Sequence, residues 1–374
     1  MPNRIVVDLL GYTGRRGGTE TYARELIPRL PGLIPDAEFV AITGRAAAAE
    51  VSDFFPGAVR RVPWVGADRV TWALAGVAKV NRLARVLDAS MLWCPANFGP
   101  VVRTRVPRVV TVHDAIYHEA DGPLLSRALS TATSWLMTRS AMTADRVITV
   151  SNAAANAIET HMRVSSERIV VVPNGSMKPS PPVDAAAIVS ALGIPLSRPI
   201  VLSTGNRLPH KNFDALLSAI ETIPSHSRPL TIITGSRDSD PLRAAIEQRG
   251  LVDDVRLVGW VTATELEALY AVAELYVCPS RVEGFGLPVV DALRRGVAVV
   301  ANDIPVLREV GGNASIYVDA EDANAFGKAI ARCVSTPQTQ AERARARSWA
   351  EHFTWDSAAA TTANVLASAI KGRG

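Results

Sequence analysis

Short runs of β-branched and apolar residues alternate with longer helical patterns along almost the whole chain. Alternation of this kind predicts βαβ units, and therefore parallel sheets covered by helices. The strands predicted in the first half are residues 5–10, 38–43, 90–94, 108–112, 146–150 and 168–172. Those predicted in the second half are residues 199–204, 229–234, 255–258, 275–278, 297–301 and 314–318.

A proline-rich segment, Lys178–Pro182, separates the two series of strands. Proline can continue neither a helix nor a central strand, so we place a domain boundary there. We predict a first Rossmann-like domain over residues 1–177 and a second over residues 178–354. A helix within residues 355–374 is expected to pack back on the first domain. The length of 374 residues suits two domains.

Composition narrows the class of protein. No apolar run is long enough to span a membrane, and the amino terminus lacks a signal-peptide layout, so we expect a cytoplasmic protein. Cys94, Cys278 and Cys333 are far apart and form no Cys-x-x-Cys pair. Neither a disulfide framework nor a zinc site is therefore expected.

Residues 60–85 form a basic segment that also contains two tryptophans, Trp64 and Trp72. Its charged residues are Arg60, Arg61, Asp68, Arg69, Lys79, Arg82 and Arg85. This composition suits peripheral contact with an anionic membrane surface. The alternative is a solvated helix face whose apolar residues pack inward. No nucleic-acid motif accompanies the segment, so no nucleic-acid partner is expected.

Polar and glycine-rich motifs follow the predicted strands, where ligands bind in open parallel sheets. In the first, Gly11–Glu20, the pair Gly17 and Gly18 precedes a helix whose amides can receive an anion. Thr13 breaks the G-x-G-x-x-G pattern, which counts against a nicotinamide enzyme. The alternative is a plain glycine-rich turn.

His113 ends the strand predicted over residues 108–112. At that position its imidazole could bond a sugar hydroxyl or a developing charge. The alternative is a histidine with a structural role only.

Arg207, Lys211 and Asn212 follow the first strand of the second domain and lead into a helix. Two cations beside a helix amino terminus could clamp a diphosphate leaving group. The alternative is a pair of exposed basic residues.

The most specific motif is Glu283-Gly284-Phe285-Gly286-Leu287-Pro288, followed by Asp291. Glycines at a strand-to-helix turn allow backbone amides and two carboxylates to face one ligand. Carboxylates accept hydrogen bonds from hydroxyls, so Glu283 suits a sugar and Asp291 a ribose. Asp238-Ser239-Asp240 matches a metal-binding Asp-x-Asp pattern, but Asp240-Pro241 fits a helix cap better.

In their order and spacing, these motifs resemble the retaining GT-B glycosyltransferases of glycosyltransferase family four. That family contains many bacterial mannosyl-, rhamnosyl- and glucosyltransferases of surface polysaccharides, and the resemblance spans nearly the whole chain. Its strongest part comprises Leu257-Val-Gly259-Trp-Val261, Ala273-Glu274-Leu-Tyr-Val-Cys-Pro279-Ser280 and Glu283-Gly-Phe-Gly-Leu-Pro288. It implies an α/β GT-B fold, in which two Rossmann-like domains with parallel sheets face each other across a cleft.

The resemblance also implies roles for individual residues. The catalytic set is His113, Arg207, Lys211 and Glu283, in which His113 contacts the transferred sugar, Arg207 and Lys211 neutralise the diphosphate and Glu283 holds the sugar hydroxyls. The donor-binding set is Gly17, Gly18, Asn212, Gly284, Phe285, Gly286, Leu287 and Asp291. The family's glutamate, seven residues, glutamate motif maps onto Glu283 and Asp291, with the second acid shorter by one methylene.

Members of this family retain the anomeric configuration, by front-face attack in which the leaving phosphate takes the acceptor proton. Cations and helix amino termini stabilise that phosphate, so we expect neither metal nor cofactor. Domain closure is implied, with hinges near residues 178–182 and 353–357.

The function predicted is therefore transfer of a hexose, with mannose from GDP-mannose as the first choice of donor. The acceptor expected is a glycan or lipid-linked glycan at the inner face of the membrane. One alternative is a nucleotide-sugar epimerase of the same architecture. Another, suggested only by Asp291, is a catalytically silent partner that binds a glycan or nucleotide.

Overall fold

A computed structural model describes residues 3–14, 17–66, 71–72, 75–76, 79–114, 124–236 and 240–372, without the side chains of residues 124–130. The chain forms two compact units. The first comprises Met1–Gly175 and Thr354–Gly374, and the second comprises Ser176–Phe353. The boundary expected between residues 177 and 178 lies two residues from the observed one.

Seven parallel strands form the sheet of the first unit, in the order β3-β2-β1-β4-β5-β6-β7. They are β1 (Asn3–Leu9), β2 (Ala37–Gly44), β3 (Ala58–Val62), β4 (Met91–Cys94), β5 (Arg108–Val112), β6 (Arg146–Thr149) and β7 (Ile169–Val171). Strand β1 lies between β2 and β4, with Ile5 opposite Phe39 and Met91. Because all pairings are parallel, the loops after these strands gather at one edge.

The helices of this unit are α1 (Gly18–Leu26), α2 (Ala48–Phe54), α3 (Val80–Val86), α4 (Leu124–Thr143), α5 (Asn152–Met162) and, near the carboxyl terminus, α14 (Trp355–Lys371). Helix α14 lies within the range expected from the sequence, residues 355–374. Thr354 caps it by accepting a 3.1 Å hydrogen bond from the Ser357 amide. Trp355 is buried and packs edge-on against Tyr22 of α1, with ring centroids 6.2 Å apart.

The basic segment, residues 60–85, differs from the single helix face that the sequence suggested as an alternative. Arg60 and Arg61 lie exposed on β3, an edge strand that the sequence pattern did not predict. Trp64 is 46% exposed, whereas Trp72 packs against Phe98 with ring centroids 4.6 Å apart. Arg82 and Arg85 are exposed on α3. Asp68 and Arg69 lie outside the described residues.

The second unit contains a six-stranded parallel sheet in the order β10-β9-β8-β11-β12-β13. Its strands are β8 (Ile200–Thr204), β9 (Leu230–Ser236), β10 (Val255–Gly259), β11 (Leu275–Cys278), β12 (Ala298–Asn302) and β13 (Ile316–Val318). Its helices are α6 (Ala185–Ala191), α7 (Phe213–Thr222), α8 (Leu242–Gln248), α9 (Ala263–Val272), α10 (Leu287–Arg294), α11 (Pro305–Gly311), α12 (Ala323–Ser335) and α13 (Gln340–Ala350).

Strands β8, β9, β11 and β12 are almost entirely buried, as expected for parallel strands covered by helices on both faces. The predicted α/β class with two parallel sheets is therefore confirmed. Among the described helices, none has the length and apolar character needed to cross a bilayer.

Candidate functional site

Two loops of the second unit carry most of the predicted site residues. One follows β8 and contains Arg207 and Lys211, and the other follows β11 and contains Glu283. Strands β8 and β11 are hydrogen-bonded neighbours, with Leu202 opposite Tyr276. The sheet topology therefore brings the two loops together, although 72 residues separate Lys211 from Glu283.

Lys211 and Glu283 form an ion pair, with Nζ 2.6 Å from Oε1. The lysine side chain is 16% exposed and the glutamate 11%. Burial alone would raise the pKa of Glu283, but the charge and hydrogen bond of Lys211, with smaller effects of Ser280 and His210, together outweigh it and hold that pKa below its usual range. Glu283 is therefore an ionised acceptor for hydroxyl groups, with a cation at its side.

Arg207 has different partners from Lys211. Its Nε and Nη2 donate to the Asp240 carboxylate at 3.0 and 2.7 Å, and its guanidinium lies 4.9 Å from the Phe213 ring centroid. Carbonyl oxygens accept the remaining donors, from Nη1 at Gly205 and Thr234 and from Nη2 at Ile233.

All five N–H groups of Arg207 are thus engaged within this unit. Lys211 is paired with Glu283, whereas Arg207 is paired with Asp240, so the clamp of two cations on one diphosphate stays a prediction. A bond from Arg207 to a ligand would replace one of its present bonds.

Asp240 is a site residue that sequence reasoning assigned only to helix capping. Its Oδ1 does accept a 3.1 Å bond from the Leu242 amide, but α8 begins at Leu242 rather than at Pro241. Burial raises the pKa of Asp240, but Arg207, together with hydrogen bonds from the Leu242 amide and Ser236, lowers it by more, so the group stays ionised. Asp238 and Ser239 lie outside the described residues.

Asn212 supports the turn that carries Lys211. Its backbone is left-handed, with φ 54°, a conformation that asparagine tolerates better than most residues. Its Nδ2 donates to Glu321 Oε1 at 3.1 Å, and the same oxygen accepts from Arg281 Nε at 2.7 Å. No sequence pattern pointed to Glu321 or Arg281, because both contacts depend on the tertiary structure.

The loop Gly284–Leu287 leads directly into α10. Gly286 has φ 93°, and a Cβ there would lie 2.9 Å from Leu307 Cδ2, so glycine is required. Gly286 is also the N-cap and provides no side chain to the helix amino terminus. Phe285 is buried against Phe353, with ring centroids 5.6 Å apart, so it can offer a ligand only its backbone.

Asp291, which the sequence predicts to bind a ribose, contacts Ser176, the first residue of the second unit. Ser176 Oγ donates to its Oδ1 at 2.6 Å, and Arg295 Nη1 lies 3.7 Å from the same oxygen. Burial raises the pKa of Asp291 and outweighs the effect of Arg295. The structure therefore gives this carboxylate a partner within the protein.

A pocket of about 460 Å³ lies at the carboxyl ends of β9 and β10. It is lined by Ser236, Asp240, Arg243, Leu257, Val258, Gly259 and Trp260. Trp260 is 43% exposed and Arg243 is exposed, so a planar group could stack there. Asp240 connects this pocket with Arg207 in the loop after β8.

In the first unit, His113 follows β5 as predicted and is buried. Its Nε2 lies 2.8 Å from the Pro95 carbonyl oxygen, and its ring meets Tyr22 edge-on at 4.7 Å. A carbonyl only accepts, so Nε2 carries the proton and Nδ1 is the acceptor. Burial lowers the pKa of His113 to about 4, which leaves a neutral imidazole near neutral pH.

The glycine-rich loop of this unit precedes α1, whose N-cap is Gly17. A Cβ at Gly17 would meet no atom within 4 Å, so the fold itself does not require glycine there. Thr13 donates to Glu20 Oε1 through its amide at 3.0 Å and its hydroxyl at 2.7 Å. Glu20 Oε2 is buried and finds no partner among the residues that the structure describes.

Within the described ranges, no group of three or more His, Cys, Asp and Glu side chains is placed to hold an ion.

Two family profiles match the chain. The one described as "Glycosyltransferase Family 4" matches residues 16–176, and the one described as "Glycosyl transferases group 1" matches residues 184–350.

Among characterised proteins, the chain is similar to O-antigen chain mannosyltransferase B of Escherichia coli, with 33% identity over 44% of each chain. It is also similar to D-inositol 3-phosphate glycosyltransferase of Streptomyces griseus, with 27% identity over 96% of this chain and 86% of the relative. The first curated relatives are matched over only about half of their length, 44% to 55%.

A solved structure, sucrose-phosphate synthase from Thermosynechococcus elongatus, superposes with a TM-score of 0.78 at 18% identity. The superposition covers 99% of this chain and 100% of the synthase chain, which confirms the fold. Together with the two profiles, it confirms the resemblance found in the sequence: the chain belongs to the group 1 glycosyltransferases of family four, with the GT-B fold.

Proposed function

We propose that this protein is a retaining glycosyltransferase. It moves a hexose from a nucleotide diphosphate sugar to a glycan or lipid-linked glycan in the synthesis of a surface polysaccharide or glycoconjugate. The observation that carries the proposal is the 2.6 Å Lys211–Glu283 pair, which lies on the loops after two adjacent strands. One of those loops continues into the amino terminus of α10.

The pair suits sugar transfer because the reaction separates charge. Negative charge grows on the leaving diphosphate, and Lys211 with the helix amides supplies fixed positive charge for it. Glu283, already ionised, accepts hydrogen bonds from the sugar hydroxyls. Arg207 is a positioning residue. Its ion pair with Asp240 fixes the loop after β8, and that loop also carries Lys211.

On this mechanism neither a metal ion nor a cofactor takes part. The leaving phosphate itself receives the acceptor proton, so no carboxylate nucleophile is needed. His113 serves as a neutral group whose Nδ1 accepts a bond from a sugar hydroxyl. Gly17 and Gly18 offer backbone to the donor phosphate and acceptor.

The pocket at the ends of β9 and β10 is proposed to receive the nucleobase. It combines an exposed indole, Trp260, with an exposed guanidinium, Arg243. GDP-mannose is the proposed donor, supported by the mannosyltransferase among the relatives. Another relative, D-inositol 3-phosphate glycosyltransferase, is not named as a mannosyltransferase, so donor identity is the first variable to test.

Thermal unfolding with GDP, UDP, dTDP, ADP and their sugar conjugates, all in EDTA, tests the donor class. A ligand that binds only the folded protein raises the melting temperature by mass action. We expect GDP and GDP-mannose to stabilise the protein selectively, and Lys211→Ala to abolish the shift while exposed Lys328→Ala retains it. Equal shifts with all nucleotides, or none, would contradict the proposal.

Turnover of the stabilising donor then tests the reaction itself. With an oligosaccharide or lipid-linked acceptor and EDTA, we expect a product of retained configuration by NMR. Isomerised donor formed without acceptor would instead identify an epimerase. Donor binding with no product on any acceptor would favour the silent partner.

Peripheral contact with an anionic membrane is the remaining part of the proposal. It is supported by Arg60, Arg61 and the 46% exposed Trp64 in the first unit. We expect cosedimentation with phosphatidylglycerol vesicles, but not with phosphatidylcholine, and its loss in Trp64→Ser. The comparison variant is Trp135→Ser, which removes the 57% exposed indole on α4. If only Trp135→Ser lost cosedimentation with the anionic vesicles, the membrane contact would lie on α4 instead.

A further inference from the structure

The polypeptide passes between the two units twice, between Gly175 and Ser176 and between Phe353 and Thr354. On the second-unit side, the two passages lie next to each other, because the Ser176 amide donates to the Phe353 carbonyl at 3.1 Å. Any group that holds these two residues therefore holds both connections at once.

One side chain of α10 binds both passages. Arg294 Nη1 donates at 3.0 Å to the Ser176 carbonyl and at 3.0 Å to the Phe353 carbonyl. A guanidinium nitrogen of this kind carries two hydrogens, so a single atom can make both bonds. One turn earlier, Asp291 Oδ1 accepts the Ser176 hydroxyl at 2.6 Å.

The opposite end of the same helix reaches the second passage as well. Phe285, two residues before α10 begins, packs against the Phe353 ring at 5.6 Å and 77°. Phe353 is thus held through its ring by the loop that starts at Glu283 and through its carbonyl by Arg294. Helix α10 has eight residues, so it is about 12 Å long and connects the two contacts directly.

We propose that Arg294 is a positioning residue that, with Asp291, couples the donor loop Glu283–Gly286 to both connections between the units. The inference rests on the proposed donor site. Binding of the donor diphosphate at the amino end of α10 orders Ser176 and Phe353 through the carboxyl end of that helix. The reverse also holds, since coupling between two sites is reciprocal.

The test is hydrogen exchange by mass spectrometry on the full chain, with GDP as the probe. In the wild type, we expect GDP to slow exchange in peptides covering residues 174–178, 283–287 and 352–355. Arg294→Met keeps an apolar stem but removes every donor, so GDP should then protect only residues 283–287. Arg294→Lys should restore part of the coupling, and exposed Arg343→Gln should behave as wild type.

Kinetics provide a second readout. We expect Arg294→Met to raise the donor KM by about tenfold, within the usual range of coupling between sites, and to change kcat much less. Ser176→Ala removes one hydroxyl and spares the fold. Like Arg294→Met, it should reduce the protection that GDP gives to residues 174–178. Unchanged GDP protection of both connections in Arg294→Met and Ser176→Ala would overturn the inference.

Failure of the donor site itself gives a different result. In that case GDP would protect no peptide, not even residues 283–287, in the wild type. The coupling is then measured by hydrogen exchange without ligand. We expect residues 283–287 to exchange faster in Arg294→Met than in Arg343→Gln. Equal exchange in these two variants would contradict the coupling independently of the donor.

Discussion

Lys211 Nζ lies 2.6 Å from Glu283 Oε1, and the two residues occupy loops that follow neighbouring strands of one sheet. Both side chains are mostly buried, so each is the principal neutralising charge for the other. Removing one member leaves a buried charge, whereas removing both does not. This difference separates a role in stability from a role in catalysis.

The first prediction uses that difference. Lys211→Met and Glu283→Gln should each lower the free energy of unfolding, by about 3 kcal/mol, because the remaining charge loses its partner. The double variant should regain most of that stability. All three variants should lose activity, by about 100-fold or more, since the charge that stabilises the diphosphate or holds the sugar is gone.

Urea unfolding and steady-state turnover measure these effects side by side. Exposed Lys328→Met and Glu247→Gln are the matched controls and should change neither quantity. A double variant that recovered activity together with stability would show that the pair serves the fold alone.

Arg207 is predicted to behave differently from Lys211. Its five donors are all engaged, so Arg207→Lys should lower the free energy of unfolding by about 2 to 4 kcal/mol. Asp240→Asn should also lower the free energy of unfolding. By calorimetry, GDP should bind Arg207→Lys with a smaller loss of affinity than Lys211→Met. The opposite order would place Arg207 directly on the diphosphate.

How far the sequence predicted this site depends on where each contact originates. Loops after parallel strands share one edge, so Lys211, Glu283 and His113 could be assigned to the ligand edges of their sheets from strand order alone. The pairing of Arg207 with Asp240 could not, because it joins residues 33 apart on different loops and both fit simpler local roles.

Strand β3 shows the same limit in the fold. Its arginines, Arg60 and Arg61, are exposed because β3 is an edge strand, and their charge concealed the apolar alternation that marks a strand. Asp291 matched a ribose-binding position by spacing, yet its bond to Ser176 depends on how the chain enters the second unit. Local patterns do not contain that information.

His113 leads to a prediction about pH. Burial lowers the pKa of His113 from 6.5 to about 4, so the folded protein resists its protonation. Its contribution to stability is therefore complete above pH 6.5 and is lost as the pH falls toward 4. The total is roughly 3 kcal/mol, at 1.36 kcal/mol per pKa unit. As the pH falls over this range, the free energy of unfolding of the wild type should decrease more steeply than that of His113→Gln.

The direct measurement for His113 is NMR of protein labelled at the histidine nitrogens. We expect a neutral ring with the proton on Nε2 at pH 7, as the Pro95 carbonyl requires. Exposed His226→Gln is the control and should leave the His113 resonances unchanged. A charged ring at pH 6 would contradict the assignment.

Asp8 leads to the opposite pH dependence. It lies buried near the end of β1, where its Oδ1 accepts the Leu10 amide at 3.1 Å, and burial raises its pKa from 3.8 to about 7. Between these values the folded state binds more protons than the unfolded state, so this group's contribution to stability is full below pH 3.8 and is lost as the pH rises through 7.

Asp8→Asn keeps the oxygen that accepts from Leu10 but cannot ionise, so it should be more stable than the wild type at pH 8. The gain should shrink as the pH falls and vanish near pH 4. Its upper limit is roughly 4 kcal/mol, from the size of the pKa shift. Chemical unfolding at pH 4, 6 and 8 measures the gain, and exposed Asp36→Asn should show none. An advantage of Asp8→Asn that stayed constant with pH would mean that ionisation of this carboxyl is not its cause.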